Sequence, residues 1–191
     1  SFNSSGRKFR IARFKENISH EALHPEIKSR VDEIIRMLKD NDHQVEVVEF
    51  PYTDQLLGVY HILTTAEASS NLARYDGLRY GKRFSDSSNL NEMITENRTK
   101  GFGREVKRKI MMGNLVLSGE QQNKFFSKAN KVRSLIRDHL SGLFGTYDFI
   151  LSPTTPTPAF GLGEIQDPVE MYLQDIYCLP ANIGGLPAIS L

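Results

Sequence analysis

The stretch FRIARFKENISHEALHPEIKSRVDEIIRMLKDNDHQVEVVEF, residues 9–50, decides the fold class. Apolar and polar residues alternate from Phe9 to Phe14, which predicts a half-buried strand. Pro25 stands where the first turn of a helix tolerates proline, and apolar residues then recur at helical spacing. These residues are Ile27, Val31, Ile34, Ile35 and Leu38. A second strand pattern follows at residues 45–50, so the stretch predicts a βαβ crossover unit of an α/β sheet.

The rest of the chain extends this pattern on one side. Residues 54–143 show helical segments and no strand pattern of comparable quality, so this part is predicted to be mainly helical. A strand is predicted from Tyr147 to Leu151, then a proline-rich loop, and a short helix from about Pro168 to Tyr177. Residues 187–191 are apolar and look like the opening of a buried strand. We therefore expect 1–191 to be a single partial domain, excised from a longer protein.

Composition excludes several classes of function. The chain has 191 residues, 39% of them apolar, with 24 Lys and Arg against 23 Asp and Glu, so its charge gives no overall nucleic-acid footprint. The longest apolar runs are shorter than the roughly 20 residues that span a bilayer, and no signal peptide is recognisable. The single cysteine, Cys178, cannot form an intrachain disulfide. We expect a protein of a reducing compartment, the cytoplasm or an organellar matrix, without membrane contact.

Most residues that could carry chemistry have a simpler structural interpretation. The five histidines are scattered and lack the spacing of a metal site, so no metal ligand is predicted. Cys178 has apolar neighbours and no histidine near it in sequence, which favours a packed thiol over a nucleophile. The nucleophile elbow, the phosphate-binding loop and the dinucleotide fingerprint are all missing.

Two charged residues stand in apolar surroundings. Arg108 precedes the apolar run Ile110 to Leu117, which predicts a helix that enters the interior on several faces and shelters the guanidinium. Alternatively, Arg108 belongs to a solvated basic face in which Glu105 pairs with Lys109 at i,i+4 spacing. Asp175 lies on the predicted short helix, where its carboxylate would cap a backbone or bind an ammonium group. The residues alone leave both interpretations open.

Several separate blocks resemble one family. Asp175 followed by NIGGLPA at 182–188 resembles the amidase signature family. Four further blocks resemble the A subunit of the glutamyl-tRNA/aspartyl-tRNA amidotransferases within that family. They are AEASSNLARYDGLRYG at 66–81, GFGREVKRKIMMGN at 101–114, KANKVRSLIRD at 128–138 and YDFILSPTTPTPAFGLGE at 147–164. The resemblance implies part of the amidase signature fold, a mixed β-sheet sandwiched between helices, from the C-terminal half of the protein.

The resemblance also implies a binding role for three residues. Arg108 would bind the α-carboxylate of glutamine, Asp175 its α-ammonium group, and Tyr60 would line the pocket. Lys109 stands where the family usually repeats arginine, which leaves the register of Arg108 open by one residue.

No catalytic residue is assigned in this chain. The family's catalytic set of two serines and a lysine belongs upstream, and the pairs Ser4–Ser5, Ser69–Ser70 and Ser87–Ser88 lack its glycine-rich setting. We therefore expect the chain by itself to be inactive. No cofactor is expected in it, since ATP and Mg²⁺ would bind to the partner subunit.

In the family the A subunit releases ammonia from glutamine, and a B subunit uses it to convert misacylated Glu-tRNA or Asp-tRNA to the amide, with a C subunit completing the complex. The resemblance thus implies glutamine, the B and C subunits and, through the complex, tRNA as partners. Two alternatives stay open: a free-standing amidase of another small amide, and a non-catalytic binding or assembly module in which Arg108 and Asp175 form a structural ion pair.

Overall fold

The computed structural model describes residues 6–19 and 23–191, with the backbone alone at 18 and 19. Ser4, Ser5 and His20 lie outside these described residues. The chain divides into two compact units. The sheet unit comprises the described part of Ser1–Leu57 together with Val132–Leu191, and the helical unit is Gly58–Lys131.

The sheet unit contains three described strands. Strands β1 (Arg10–Phe14), β2 (Gln44–Val48) and β3 (Phe149–Leu151) are arranged in the order β2-β1-β3. Both strand pairs are parallel, with Ile11 opposite Val45 on one side and Phe149 on the other. The sheet that the family resemblance implied to be mixed is thus parallel in both of its described pairs. A short helix α1 (Lys15–Ser19) follows β1 directly.

Helix α2 (Pro25–Asp40) connects β1 and β2. The His24 side chain caps its start by accepting a hydrogen bond from the Glu26 backbone N–H at 3.3 Å. Ile35 is buried, but Ile34 is exposed, although both belong to the predicted apolar stripe. Adjacent residues of a helix point about 100° apart, so one face cannot bury both.

The core of the sheet unit includes aromatic and aliphatic side chains from distant segments. Phe14 stacks on Phe50 with ring centroids 4.6 Å apart. Ile136 and Leu140, one turn apart on helix α7 (Ser127–Leu143), are completely buried. Burying each such side chain contributes roughly 1.5–3 kcal/mol to the free energy of unfolding.

The helical unit holds most of the chain between the strands. Its elements are the greater part of α3 (Thr53–Leu72), α4 (Leu90–Gly101), α5 (Arg104–Leu117), the short α6 (Gly119–Gln121), a π-helical turn (Gln122–Phe126) and the start of α7. The long connection from α3 to α4 is irregular.

The C-terminal segment of the sheet unit contains two short helices, α8 (Pro168–Leu173) and α9 (Leu179–Gly184), joined by a turn. The predicted helix was expected to continue to Tyr177 but ends at Leu173. Residues 174–176 donate their backbone N–H groups to carbonyls three residues back, which tightens the chain into turns. The next helix begins at Leu179, and Pro180, which cannot donate to a carbonyl four residues back, lies in its first turn.

The prediction of a strand at residues 187–191 is wrong. Residues 187–191 are irregular and exposed, whereas residue 186 before them is partly buried. A strand requires a neighbouring ladder of backbone hydrogen bonds, and the described backbone bonds supply none to this segment. Its described polar contact is between the Ser190 and Thr154 hydroxyls, 3.0 Å apart.

Candidate functional site

Arg108 lies on α5, where it pairs with a carboxylate of its own helix. Its Nε donates to Glu105 Oε2 at 3.0 Å, and its Nη2 donates to Oε1 at 2.8 Å. These two parallel bonds form the planar fork with which arginine recognises a carboxylate. The hydrogen bond from Arg108 lowers the pKa of Glu105, with burial acting in the opposite direction.

The partner of Glu105 differs from the alternative proposed on sequence. Glu105 pairs with Arg108 at i,i+3, whereas Lys109 at i,i+4 was expected. Both spacings bring side chains together on a helix surface, so sequence distance alone could not select between them. Sequence reasoning missed Glu105 as the arginine's partner, and i,i+3 spacing was the signal that could have indicated it.

The expectation that α5 is buried on several faces is wrong. Between residues 110 and 117 only Gly113 is buried, while Met111 is 72% and Leu115 is 62% exposed. The sequence of this part of the helix is largely apolar, but a helix that packs against its neighbours through one face leaves its other faces in solvent. Arg108 therefore lies on a half-exposed surface of the described structure, with 41% of its side chain accessible.

Gly113 sets the distance between α5 and α3. A Cβ atom at this position would lie 2.0 Å from the Thr65 carbonyl oxygen and 2.6 Å from Ser69 Oγ. Only glycine permits so close an approach of the two helices. Thr65 and Ser69 are buried and donate their hydroxyls to carbonyls of α3 itself, so the contact leaves their polar atoms satisfied.

Tyr60 lies in the third turn of α3. Its side chain is half-buried, and its ring lies edge-on to His61 with centroids 5.7 Å apart. The Thr64 hydroxyl donates to the Tyr60 carbonyl at 2.8 Å, so the backbone here is fixed from one turn further along the helix. Tyr60 and Arg108 both belong to the helical unit.

Asp175 belongs to the sheet unit and lies in the turn between α8 and α9. The prediction that it lies on a helix is wrong, because the turn described above interrupts the helix two residues earlier. The Asp175 side chain is exposed. Its backbone N–H donates to Tyr172 and its carbonyl accepts from Cys178 at 2.9 Å, so the backbone of the turn is fixed on both sides.

The proline-rich loop anchors the same turn. Thr157 Oγ1 donates to Gln174 Oε1 at 2.6 Å, and Cys178 Sγ donates to the Thr154 carbonyl at 3.3 Å. Burial, and then the charge of Asp175, raises the pKa of the half-buried Cys178 thiol. A thiol with a raised pKa is a poor nucleophile, so this environment favours a packing role.

The described residues contain no group of three or more histidine, cysteine or acidic side chains placed to hold a metal ion. Within the same residues, no helix is both long and apolar enough to cross a bilayer.

Comparison with known families assigns the class of protein. The amidase family model matches residues 1–191, and the chain therefore belongs to the amidase family. The resemblance drawn from the sequence blocks is confirmed.

Curated relatives define the resemblance more narrowly. The chain is 48% identical over 166 residues to the A subunit of glutamyl-tRNA(Gln) amidotransferase from Halothermothrix orenii, covering 87% of this chain and 35% of that protein. It is 44% identical over 172 residues to the corresponding protein of Desulforamulus reducens, covering 90% and 36%. The chain thus spans little more than a third of the length of these relatives.

Solved structures confirm the fold. The crystal structure of the A subunit of glutamyl-tRNA(Gln) amidotransferase from Thermotoga maritima matches with a TM-score of 0.66 and 33% identity, over 95% of this chain and 36% of that chain. A crystal structure of an amidase matches with a TM-score of 0.65 at 18% identity, over 98% and 40%. The second likeness shows the amidase signature fold alone.

Proposed function

We propose that the full-length protein is the glutamine-hydrolysing subunit of a tRNA-dependent amidotransferase and that this chain forms part of its glutamine pocket. The observation that carries the proposal is the 48% identity, over 87% of the chain, to the A subunit of a glutamyl-tRNA(Gln) amidotransferase. The ammonia released from glutamine would convert Glu-tRNA(Gln) or Asp-tRNA(Asn) to the amide. B and C subunits would complete the complex, and ATP and Mg²⁺ would bind to the partner subunit.

In this proposal the two ends of free glutamine are read by opposite charges. Arg108 binds the α-carboxylate, Asp175 binds the α-ammonium group, and Tyr60 lines the pocket between substrate and helix α3. An amide that lacks either end would leave a charged group unpaired, which costs about 1–3 kcal/mol or more. Selection for a free amino acid follows from that cost.

The geometry of Arg108 supports its role. The guanidinium already presents Nε and Nη2 as a fork to the Glu105 carboxylate, and a substrate carboxylate has the same shape and charge. Lys109, the neighbouring cation, has one ammonium group and cannot form this fork. This difference supports Arg108 over Lys109 as the residue that binds the carboxylate.

The turn that holds Asp175 supports the second role. The backbone of Asp175 is fixed by hydrogen bonds on both sides and its side chain is exposed, so its carboxylate is accessible to an ammonium ligand. Chemistry at the amide would be carried by a serine nucleophile, a second serine and a lysine from outside this chain. The chain alone would bind without hydrolysing, and we expect the reaction to occur in the cytoplasm or an organellar matrix.

The test is a pair of substitutions in the full-length protein, Arg108→Met and Lys109→Met. Losing a charged, bidentate contact to substrate should cost about 2 kcal/mol or more, which raises the KM for glutamine roughly 30-fold. Lys109→Met should change it less than about threefold. Steady-state glutaminase assays give KM and kcat for both variants, and circular dichroism reports whether each is folded.

Two further readouts separate the alternatives. If Arg108→Met lowers stability and leaves the glutamine KM unchanged, the arginine is structural and the pocket role is refuted. Propionamide has neither an α-carboxylate nor an α-ammonium group. A free-standing amidase would hydrolyse it as fast as it hydrolyses glutamine, and that rate would not depend on partner subunits.

A further inference from the structure

The loop of residues 74–84, between α3 and α4 in the helical unit, is held by hydrogen bonds within the loop and from α4. Asp76 is buried, and its Oδ1 accepts the backbone N–H groups of Leu78 at 2.8 Å and Arg79 at 3.1 Å. Gly77 donates its N–H to the Tyr80 carbonyl at 2.9 Å and has a φ of 78°, which favours glycine. The loop closes on itself as a polar turn.

Helix α4 anchors both ends of this loop. The Asn97 side chain is 3% exposed; its Oδ1 accepts from the N–H groups of Phe84 at 2.7 Å and Ser85 at 3.0 Å, and its Nδ2 donates to the Asp76 carbonyl at 3.2 Å. Arg98 Nη1 donates to the backbone of the chain leading into the loop. One buried amide side chain thus satisfies three backbone groups, and these hydrogen bonds hold the loop in one conformation.

The fixed loop exposes large apolar side chains to solvent. Tyr75 is 43% and Tyr80 is 56% exposed, and Leu78 and Phe84 are exposed as well. A cleft of about 150 Å³ lies between the loop and α4. It is lined by Tyr75, Lys82, Phe84, Arg98, Phe102 and backbone at three glycines. A protein gains nothing in stability by holding four large apolar side chains in water, so this arrangement is typical of a recognition surface.

The charges of the loop favour one kind of ligand. Arg79 pairs with Asp76 at 3.5 Å and Arg83 with Asp86 at 3.3 Å, whereas within the described residues Lys82 has no carboxylate within 4 Å. Its Nζ instead lies over an aromatic ring of the cleft, 5.1 Å from the ring centroid. A carboxylate brought to the cleft could pair with this exposed ammonium group.

We propose that the 74–84 loop and its cleft dock an acidic polypeptide segment that bears an apolar side chain and belongs to another subunit of the assembly. The proposal rests on the proposed function for the source of that segment. Tyrosine and arginine concentrate at the centres of protein interfaces. A single-stranded or folded RNA would instead require a continuous basic track, and here Asp76 and Asp86 alternate with the arginines.

Acylation of Lys82 by N-hydroxysuccinimide acetate, followed by mass spectrometry, tests the proposal in the full-length protein. The rate at Lys82 is compared with that at Lys128, an exposed lysine of α7. Both lysines should react in the full-length protein without its partners. On assembly with the partner subunits, Lys82 should be protected about tenfold or more and Lys128 less than about twofold.

Each other result overturns the proposal. Protection of Lys82 in the isolated full-length protein means that another part of the same protein covers the loop. Protection that appears only when a tRNA transcript is added means that the ligand is RNA. An assembly that forms with Lys82 unprotected refutes the docking surface while leaving the proposed function standing; failure to hydrolyse glutamine or to assemble at all refutes the proposed function.

Charge reversal provides the energetic test. Lys82→Glu should weaken assembly about tenfold or more by repelling the acidic segment, and Lys82→Arg should restore it to within about threefold. Lys128→Glu is the matched control and should have no effect. Sedimentation velocity measures the dissociation constant. Equal assembly of Lys82→Glu and Lys128→Glu would refute the inference.

Discussion

Replacing Gly113 by alanine should destabilise the helical unit. The added Cβ would lie 2.0 Å from the Thr65 carbonyl oxygen, where real Cβ atoms stay beyond 3.0 Å, so α5 would have to move away from α3 by about 1 Å. The obstacle is backbone within a helix, which cannot rotate away as a flexible side chain could. Arg108 is carried on α5 and would move with it.

The magnitude follows from two opposing terms. Overpacking a tight contact costs about 1–3 kcal/mol, and the upper part of that range applies because backbone must shift. Replacing glycine by alanine inside a helix returns roughly 0.5–1 kcal/mol. The free energy of unfolding of the chain should therefore fall by about 2 kcal/mol, which lowers a urea midpoint by about 1 M for an m-value near 2 kcal/mol/M.

Gly58→Ala is the matched control. Gly58 lies inside α3 in the same unit, and a Cβ there would meet no atom within 4 Å. It should gain roughly 0.5–1 kcal/mol from helix propensity. Urea titrations followed by far-ultraviolet circular dichroism compare the two variants. Equal stabilisation of both would refute the close packing of α5 on α3 at Gly113.

Two further predictions concern titration in the sheet unit. Burial and the charge of Asp175 raise the pKa of Cys178, so Asp175→Asn should speed alkylation of the thiol by iodoacetamide at pH 7 roughly twofold to fivefold; an unchanged rate would contradict the arrangement of the turn. The hydrogen bond from the Tyr147 hydroxyl, 2.9 Å long, and then the Arg10 side chain lower the pKa of Glu46. A carboxyl group whose pKa is lowered in the folded state stabilises the fold at pH values above its ordinary pKa, and this stabilisation is lost as the pH falls through the folded-state pKa. Tyr147→Phe should therefore lower the urea midpoint at pH 7 and have a smaller effect below about pH 4. The same effect at both values would disprove the coupling.

Local sequence patterns predicted strand β1 and helix α2. Strand β1 begins one residue after the start expected from the alternation at Phe9–Phe14, and α2 begins at the expected proline. These signals are short-range, because a period of two or 3.6 residues is read within one segment. The residue blocks that indicated the amidase family are equally local.

Patterns failed where burial depends on distant segments. The apolar residues 110–117 predicted a helix buried on several faces, yet Gly113 is the one fully buried residue among them in the described structure. The apolar run 187–191 predicted a strand, but strand formation requires a neighbouring strand that no local pattern specifies. Asp175 was expected on a helix, but that helix ends at Leu173, two residues earlier, and Asp175 lies in the turn that follows.

The sequence by itself determined the α/β class and the amidase family, because both depend on residue identity and spacing along the chain, and the family resemblance then made Arg108, Asp175 and Tyr60 candidate binding residues. Only the tertiary structure decided that Gly113 brings α5 against α3 and that one buried amide, Asn97, fixes a loop with exposed aromatic rings. Such contacts depend on distances between segments that are far apart in sequence, and side-chain periodicity carries no information about those distances.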